Sequence, residues 1–166
     1  MANETPSKLR VMVDANVLFA GIVWPRFPYE VLRHAVMGDY QLLLSATIIE
    51  EARTAIMRVA PETASRFSDV LAATQYQAVP APTKAEITAN SQLVRDSKDI
   101  HVALAAINTA ADYLISQDKD LTEPTEPIHQ RLKVLLPGTF LRHYMGWSSE
   151  ALEAIRTRNW EDLTDN

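Results

Sequence analysis

The apolar run Leu9-Arg-Val-Met-Val13 leads directly into Asp14-Ala-Asn16-Val17, and this junction determines how the rest of the chain is interpreted. A short apolar run of this kind is typical of a strand buried in a sheet. A carboxylate that follows the strand at once, with apolar residues on both sides, is costly to bury without a partner. The junction therefore predicts either a polar site or a turn or helix cap formed by Asp14 or Asn16.

Outward from this junction, short apolar runs alternate with longer segments of helical periodicity. We predict strands at residues 9–13, 41–44, 76–79, 113–116 and 132–135. We predict helices at residues 28–37, 47–59, 61–74, 84–90, 99–111, 137–144 and 149–158, with a loop at 120–130. The alternation predicts an α/β domain with a largely parallel sheet, because parallel strands need crossover helices. Ligands of such sheets bind beyond the carboxyl ends of the strands.

The composition excludes several classes of function. The 166 residues suit one domain, and with no cysteine the chain has no disulfide, thiolate nucleophile or cysteine zinc site. Its four glycines form no P-loop, dinucleotide fingerprint or nucleophile elbow. The four histidines lack the spacing of a histidine zinc site and are interpreted as surface or packing residues.

Charge and hydropathy indicate which partners and which cellular compartment to expect for the protein. The net charge of −5 counts against a broad basic surface for nucleic acid, but an acidic chain can bind divalent cations that recruit phosphates. The uncharged run at residues 100–111 is shorter than the roughly 20 apolar residues of a membrane span. The polar start of the chain is unlike a signal peptide. We therefore expect a soluble, cytoplasmic protein with no membrane partner.

Acidic residues recur where the predicted strands end. Asp118 follows the fourth strand as Asp14 follows the first, and the same argument applies to both. Asp120 is interpreted either as a second ligand or as a turn residue paired with Lys119. Because the carboxyl ends of parallel strands share one edge of the sheet, this edge is the expected site.

Two further acidic pairs lie at the starts of predicted helices. Thr47 and Glu50 match a capping box, which leaves Glu51, at the edge of the apolar stripe, as the better site candidate. Asp96 and Asp99 precede the alanine-rich segment, where capping is the alternative to a site for both. Asp99 shares a face with small residues that could pack on the sheet, so Asp99 is the better candidate of this pair.

One site can therefore gather four carboxylates, those of Asp14, Glu51, Asp99 and Asp118. Four such groups a few ångströms apart would repel one another and could not all stay ionised unaided. A hard cation such as Mg²⁺ resolves the repulsion, since it prefers oxygen ligands and recruits phosphate. This combination predicts metal-assisted hydrolysis of phosphodiester bonds.

The order of these residues resembles the PIN domain (PilT N-terminal) family over residues 9–142. The resemblance is carried by five pieces in order: Asp14-x-Asn16-Val17, Ile-Glu-Glu51, Arg95-Asp96-x-x-Asp99, Leu-Ile-Ser116-x-Asp118-x-Asp120-Leu121 and Leu136-Pro137-x-x-Phe140-Leu141. It implies a three-layer α/β fold, a five-stranded parallel sheet of order 3-2-1-4-5 flanked by helices. It also implies a ribonuclease that depends on Mg²⁺ or Mn²⁺, often the toxin of a VapC-type toxin–antitoxin pair.

The resemblance also assigns roles to individual residues. It implies Asp14, Glu51, Asp99 and Asp118 as the catalytic, metal-binding set, and four accessory residues: Asn16, Asp96, Ser116 and Asp120. Ser116 stands where the family often has threonine, and helix register decides between Glu50 and Glu51. Candidate contacts to RNA phosphates are Arg26, Arg53, Arg95, Lys98 and Lys119.

The chain divides into a polar N-terminal tail (1–8), a PIN-like domain (9–144) and a C-terminal helical extension (145–166). Leu152, Ile155 and Trp160 of the extension form an apolar face. This face is expected either to pack on the chain's own domain or to bind a partner, including a second copy of the chain.

The leading hypothesis is an endoribonuclease with RNA as substrate and a cognate antitoxin as partner. The alternative is a module of the same fold that binds RNA or a protein without cleaving it. A phosphotransfer or dehalogenase-like hydrolase with Asp14 as nucleophile usually needs a second Asp two residues on. Asn16 stands at that position and cannot exchange a proton.

Overall fold

A five-stranded, fully parallel sheet lies at the centre of the protein, with strand order 3-2-1-4-5. The structure is a computed structural model that describes residues 8–123 and 127–163. Its strands are β1 (Arg10–Val13), β2 (Gln41–Ser45), β3 (Gln77–Val79), β4 (Tyr113–Ile115) and β5 (Lys133–Leu135). The predicted fold class and strand order are confirmed. The predicted N-terminal tail, apart from Lys8, lies outside the described residues.

The central strand is buried on both faces, as a parallel sheet requires. Val11, Met12 and Val13 of β1 are fully buried. Met12 is paired with Leu43 of β2 on one side and with Leu114 of β4 on the other. The strand order reverses between β1 and β4, so the carboxyl ends of these two strands flank the position where ligands bind in such sheets.

Helices cover both faces of the sheet. The helices in the described ranges are α1 (Ala15–Val23), α2 (Phe27–Val36), α3 (Ala46–Val59), α4 (Ala64–Thr74), α5 (Lys84–Ala89), α6 (Ile100–Asn108), α7 (Lys119–Thr122), α8 (Pro137–Tyr144) and α9 (Ser149–Ile155). Short 3₁₀ turns lie at Pro61–Thr63, Ser97–Asp99, Pro127–Gln130 and Trp160–Leu163. None of these helices is long and apolar enough to cross a membrane.

The largest difference from the sequence prediction is α1, which the periodicity did not indicate. Its sequence ANVLFAGIV is apolar on almost every side, so no amphipathic pattern marks it. Asp14 provides the missing start signal, because its side chain accepts a hydrogen bond from the N–H of Ala15. The first strand therefore passes into a helix without an intervening loop.

Further differences concern a predicted loop, a helix end and a helix cap. The segment predicted as a loop at 120–130 contains α7 and a 3₁₀ turn, with residues 124–126 outside the described part. The predicted helix at 99–111 is shorter, because Ala110 adopts a φ of 54° that ends it. The predicted capping box of Thr47 and Glu50 was wrong: α3 begins one residue earlier, and Ser45 accepts the capping hydrogen bond from Ile48.

The C-terminal segment packs against the chain's own α2 and the end of α1. The indole N–H of Trp160 donates to the carbonyl of Val23 at 2.8 Å, and its ring stacks under Arg66 at 4.2 Å. Arg158 pairs with the buried Glu30 at 3.1 Å. These contacts tie the last described turn to the helices that follow the first strand.

Candidate metal centre

A cleft of about 650 Å³ opens at the carboxyl edge of the sheet. The acidic side chains that line it are Asp14, Glu51, Asp96, Asp99 and Asp118, and the polar and basic ones are Asn16, Arg58, Ser97, Lys98 and His101. Its apolar wall consists of Ala15, Phe19, Ala55, Val59 and Ile87. The four carboxylates expected from the sequence therefore share one cleft.

Asp14 lies deepest in the cleft, with only 7% of its surface exposed. Its Oδ1 accepts a hydrogen bond from the N–H of Ala15 at 2.7 Å, and its Oδ2 accepts one from the hydroxyl of Ser116 at 2.9 Å. Burial raises the pKa of Asp14, although these two hydrogen bonds act in the opposite direction. Asp14 is thus both the helix cap and the buried carboxylate that the sequence left as alternatives.

Ser116 links the carboxyl ends of the neighbouring strands β1 and β4. Besides donating to Asp14, its hydroxyl accepts a hydrogen bond from the N–H of Asp118 at 3.0 Å. The carboxylate of Asp118 in turn accepts from the N–H of Asp120 at 2.9 Å and caps α7. One buried hydroxyl therefore fixes Asp14 and Asp118 relative to each other.

Asp99 meets this pair from the start of α6. One carboxylate oxygen from each of Asp14, Asp99 and Asp118 lies within 4.8 Å of the other two. The Oδ2 atom of Asp99 is buried, and within the described residues it has no hydrogen-bond partner. Burial and the neighbouring charge of Asp118 raise the pKa of Asp99 to about 8. Unlike Asp96, whose side chain accepts from the N–H of Lys98, Asp99 makes no capping hydrogen bond.

This group of three carboxylates fits a divalent cation. Each offers an oxygen, the ligand type that Mg²⁺ and Mn²⁺ prefer, and the buried oxygen of Asp99 is left without a donor. A cation would offset both the burial and the repulsion from Asp118 that raise the pKa of Asp99. The chemistry of the donors therefore matches the divalent cation that the sequence predicted.

Glu51 stands apart from this group and faces it across the cleft. Its Oε1 lies 2.8 Å from Nε2 of His101 on α6, whose Nδ1 is buried without a partner among the described residues. Glu50 points away and pairs with Arg53 at 3.1 Å. The register of α3 thus places Glu51, and not Glu50, on the cleft.

Comparison with known proteins identifies the family of this chain. A family model described as the PIN domain matches residues 10–120, which include every acidic residue of the cleft. The chain belongs to the PIN-domain family. Among curated proteins, no sequence matches it significantly.

Two solved structures resemble this PIN domain in fold. PAE2754 from Pyrobaculum aerophilum shares 18% identity at a TM-score of 0.58, over 84% of this chain and 97% of that one. VapBC2 from Rickettsia felis, bound to a DNA fragment from its promoter, shares 16% identity at a TM-score of 0.56, over 77% of this chain and 98% of that one. At these identities the likeness establishes the fold.

The accessory residues of this PIN domain are divided between the surroundings of Asp14 and a second acidic group. Asn16 is exposed and lines the cleft, and Ser116 is buried beneath Asp14. Asp120 pairs with Arg95 and not with Lys119, with Arg95 Nε at 2.7 Å. Together with Asp96 and Asp99, Asp120 also places an oxygen in a second acidic group within 4.8 Å.

The candidate phosphate contacts differ in whether they lie on the cleft and in whether another group already binds them. Lys98 lines the cleft, and Lys119 is exposed on the first turn of α7. Arg95 is engaged by Asp120 and Arg53 by Glu50, while Arg26 donates to the backbone carbonyl of Arg158. Lys98 is therefore the candidate from the sequence that lies on the cleft.

Sequence reasoning missed two ionisable residues of the cleft, Arg58 and His101. Arg58 lies seven residues after Glu51, which is two turns along the same face of α3. His101 lies two residues after Asp99 and is the first polar residue of a helix that is otherwise apolar up to Asn108. Both spacings are visible in the sequence, but they indicate residues of the cleft only once Glu51 and Asp99 are known to lie there.

Proposed function

We propose that this PIN domain is a metal-dependent endoribonuclease that hydrolyses RNA phosphodiester bonds. The observation that carries the proposal is the convergence of Asp14, Asp99 and Asp118, with a buried Asp99 oxygen that has no donor within the described chain. These three carboxylates would hold Mg²⁺ or Mn²⁺. When bound, such an ion polarises water for attack and offsets charge on the phosphate.

The remaining residues of the cleft supply what a polynucleotide needs. Lys98 and Arg58 offer positive charge at the rim of the cleft, where a phosphate next to the cleaved one would lie. Phe19 and Val59 form an apolar wall beside the carboxylates, against which a base or ribose can pack. Glu51, held by His101, faces the cleft and can accept a proton from a water molecule there.

The test of the proposal is cleavage of a labelled pool of RNA sequences. We expect cleavage with Mg²⁺ or Mn²⁺, and loss of cleavage with EDTA and in the Asp14→Asn variant. Cleavage that survives both controls would exclude this site. Metal and RNA binding by the folded protein without any cleavage would favour the alternative, a non-catalytic binding module. An aspartyl-phosphate trapped on Asp14 would instead indicate phosphotransfer chemistry.

We further propose that the protein is the toxin of a type II toxin–antitoxin pair, acting in the cytoplasm. The similarity to VapBC2 of Rickettsia felis supports this biological role. A cognate antitoxin would cover the acidic cleft, with an arginine entering the carboxylate group, and a homodimer is a further expected assembly. Growth arrest on expression, relieved by co-expression of a small DNA-binding protein from the adjacent reading frame, is the expected result. Expression without growth arrest would favour a housekeeping nuclease.

Ser116→Ala is expected to weaken the affinity for Mn²⁺ at least about tenfold. The hydroxyl of Ser116 orients both Asp14 and Asp118, and groups that orient metal ligands typically contribute about ten- to a hundredfold in affinity. Calorimetric titration with Mn²⁺ measures the effect. Ser116→Thr keeps the hydroxyl and is the matched control. Equal affinities of the alanine variant and the unmodified protein would contradict the orienting role.

A further inference from the structure

A second groove of about 320 Å³ borders the acidic cleft along α1. The two share a wall, because Phe19 lines the cleft while the next residue, Ala20, lines the groove. They also meet at the end of β4, where Gln117 lines the groove and Asp118 lines the cleft. A chain that lies across the carboxylates can therefore continue into this groove without leaving the surface.

The groove exposes an aromatic ring that the fold holds in place. Trp24, at the carboxyl end of α1, is 41% exposed although it is one of the largest apolar side chains of the protein. Its ring meets that of Phe19 edge-on, with centroids 5.9 Å apart and planes at 84°. The edge contact supports the indole from the side of the cleft. Exposed aromatic side chains are what single-stranded nucleic acids use for base stacking.

Two guanidinium groups lie in the same groove, in a chain whose net charge is −5. Arg26 is held by uncharged partners, the carbonyl of Arg158 at 3.1 Å and the side-chain oxygen of Asn159 at 3.3 Å. These partners orient the group, and no carboxylate of residues 8–123 or 127–163 forms an ion pair with it. Arg156 pairs with Glu153 at 3.2 Å, with both side chains more than 60% exposed. Such an exposed pair contributes little and yields readily to a phosphate.

We propose that this groove, lined by Trp24, Arg26, Gln117 and Arg156, binds the single-stranded RNA that flanks the segment in the acidic cleft. One base stacks on Trp24, and the adjoining phosphate lies between Arg26 and Arg156. The inference rests on the proposed nuclease function for the identity of its ligand. It adds the direction in which the substrate leaves the carboxylates, along α1 towards α9.

The size and chemistry of the groove favour a nucleotide over a peptide helix. Its volume is at the lower end of the range for small-ligand sites, which is about 300–1,000 Å³. A groove for an amphipathic helix would present a long row of apolar contacts. Here one exposed aromatic ring stands beside two cationic groups, the combination of stacking and phosphate contacts typical of single-strand binding.

Binding of a fluorescent single-stranded RNA of about eight nucleotides, within the usual range of single-strand sites, tests the proposal. The full chain carries Asp14→Asn, and the buffer contains EDTA, so cleavage does not enter the measurement. Trp24→Ala is expected to weaken binding about tenfold, and Trp24→Phe, which keeps an aromatic face, less than about twofold. Arg156→Gln is expected to weaken binding about threefold and to reduce the salt slope by about 0.7, the value for one phosphate contact on a single strand.

Two matched controls lie outside the groove. Arg142 is exposed on α8, donates to the backbone carbonyl of Trp147 at 3.4 Å and lines neither the groove nor the cleft, so Arg142→Gln removes an equivalent exposed charge. Met57 is 56% exposed, so Met57→Ala removes a comparable exposed apolar side chain. Both are expected to leave RNA affinity within about twofold of the parent protein, since neither lines the groove. Thermal unfolding confirms that all variants are folded.

Three results would overturn the proposal. The first is an absence of RNA binding by the parent protein under these conditions. The second is an effect of Trp24→Ala no larger than that of Met57→Ala. The third is an RNA affinity that the groove variants Trp24→Ala and Arg156→Gln leave unchanged while they alter self-association in sedimentation. That result would make the groove a protein interface. A different result would overturn the nuclease proposal alone. That result is RNA binding that depends on Trp24, without any cleavage by the unmodified protein with Mn²⁺.

Discussion

Replacing Asp99 with asparagine is expected to lower RNA cleavage more than about a hundredfold, since even groups that only orient a metal ligand contribute ten- to a hundredfold. The same substitution is expected to stabilise the metal-free protein at alkaline pH. Burial and the charge of Asp118 raise the pKa of Asp99 to about 8 in the folded protein, against about 4 in the unfolded chain. The resulting contribution to stability is complete below about pH 4 and is lost as the pH rises through about 8.

Asparagine has the shape of the protonated acid but never ionises, so it avoids this loss. Denaturant unfolding in EDTA at about pH 6 and about pH 9 measures the effect, which should favour the variant more at the higher pH. Asp69→Asn, the same change at an exposed residue of α4, is the control. It should change neither the RNA cleavage activity nor the pH dependence of the stability. A variant that cleaves RNA normally, or that is less stable than the parent at about pH 9, would contradict this role of Asp99.

The sheet could be predicted because its signal is local. Runs such as Val11-Met-Val13 and Leu42-Leu-Leu44 are buried on both faces and therefore lack polar interruptions. The strand order came from the family resemblance, since periodicity says nothing about which strands are neighbours. Helix α1 escaped prediction for the opposite reason: it is apolar almost throughout, so neither strand nor helix periodicity describes it.

The acidic residues of the cleft could be named from the sequence, but their partners could not. Glu51 and His101 lie 50 residues apart on two helices, and only the packing of α3 and α6 against one sheet brings their side chains to 2.8 Å. The same holds for Asp120, interpreted from the sequence as a second ligand or as a turn residue paired with Lys119, because its carboxylate binds Arg95, 25 residues away along the chain. Local patterns predict which residues reach an edge of the sheet, whereas contacts between elements depend on the packing angles of helices.

The affinity for Mn²⁺ is expected to rise about fiftyfold between pH 6 and pH 8, because a carboxylate must lose its proton to bind a metal. With a pKa of about 8, Asp99 is ionised in about one molecule in a hundred at pH 6 and in half of them at pH 8. The raised pKa of Asp14 acts in the same direction. Calorimetric titrations in buffers of different ionisation enthalpy measure both the affinity and the protons released.

Asp99→Asn provides the control, since it removes the group that titrates near pH 8. The variant should bind Mn²⁺ more weakly, and its affinity should vary less with pH over the same interval. A flat profile in the unmodified protein would contradict the prediction. It would mean that Asp99 is ionised before the metal arrives, so that the repulsion from Asp118 is already offset within the protein. The predicted stabilisation by Asp99→Asn at alkaline pH would then fail as well, because both effects depend on the same carboxyl group remaining protonated in the metal-free fold.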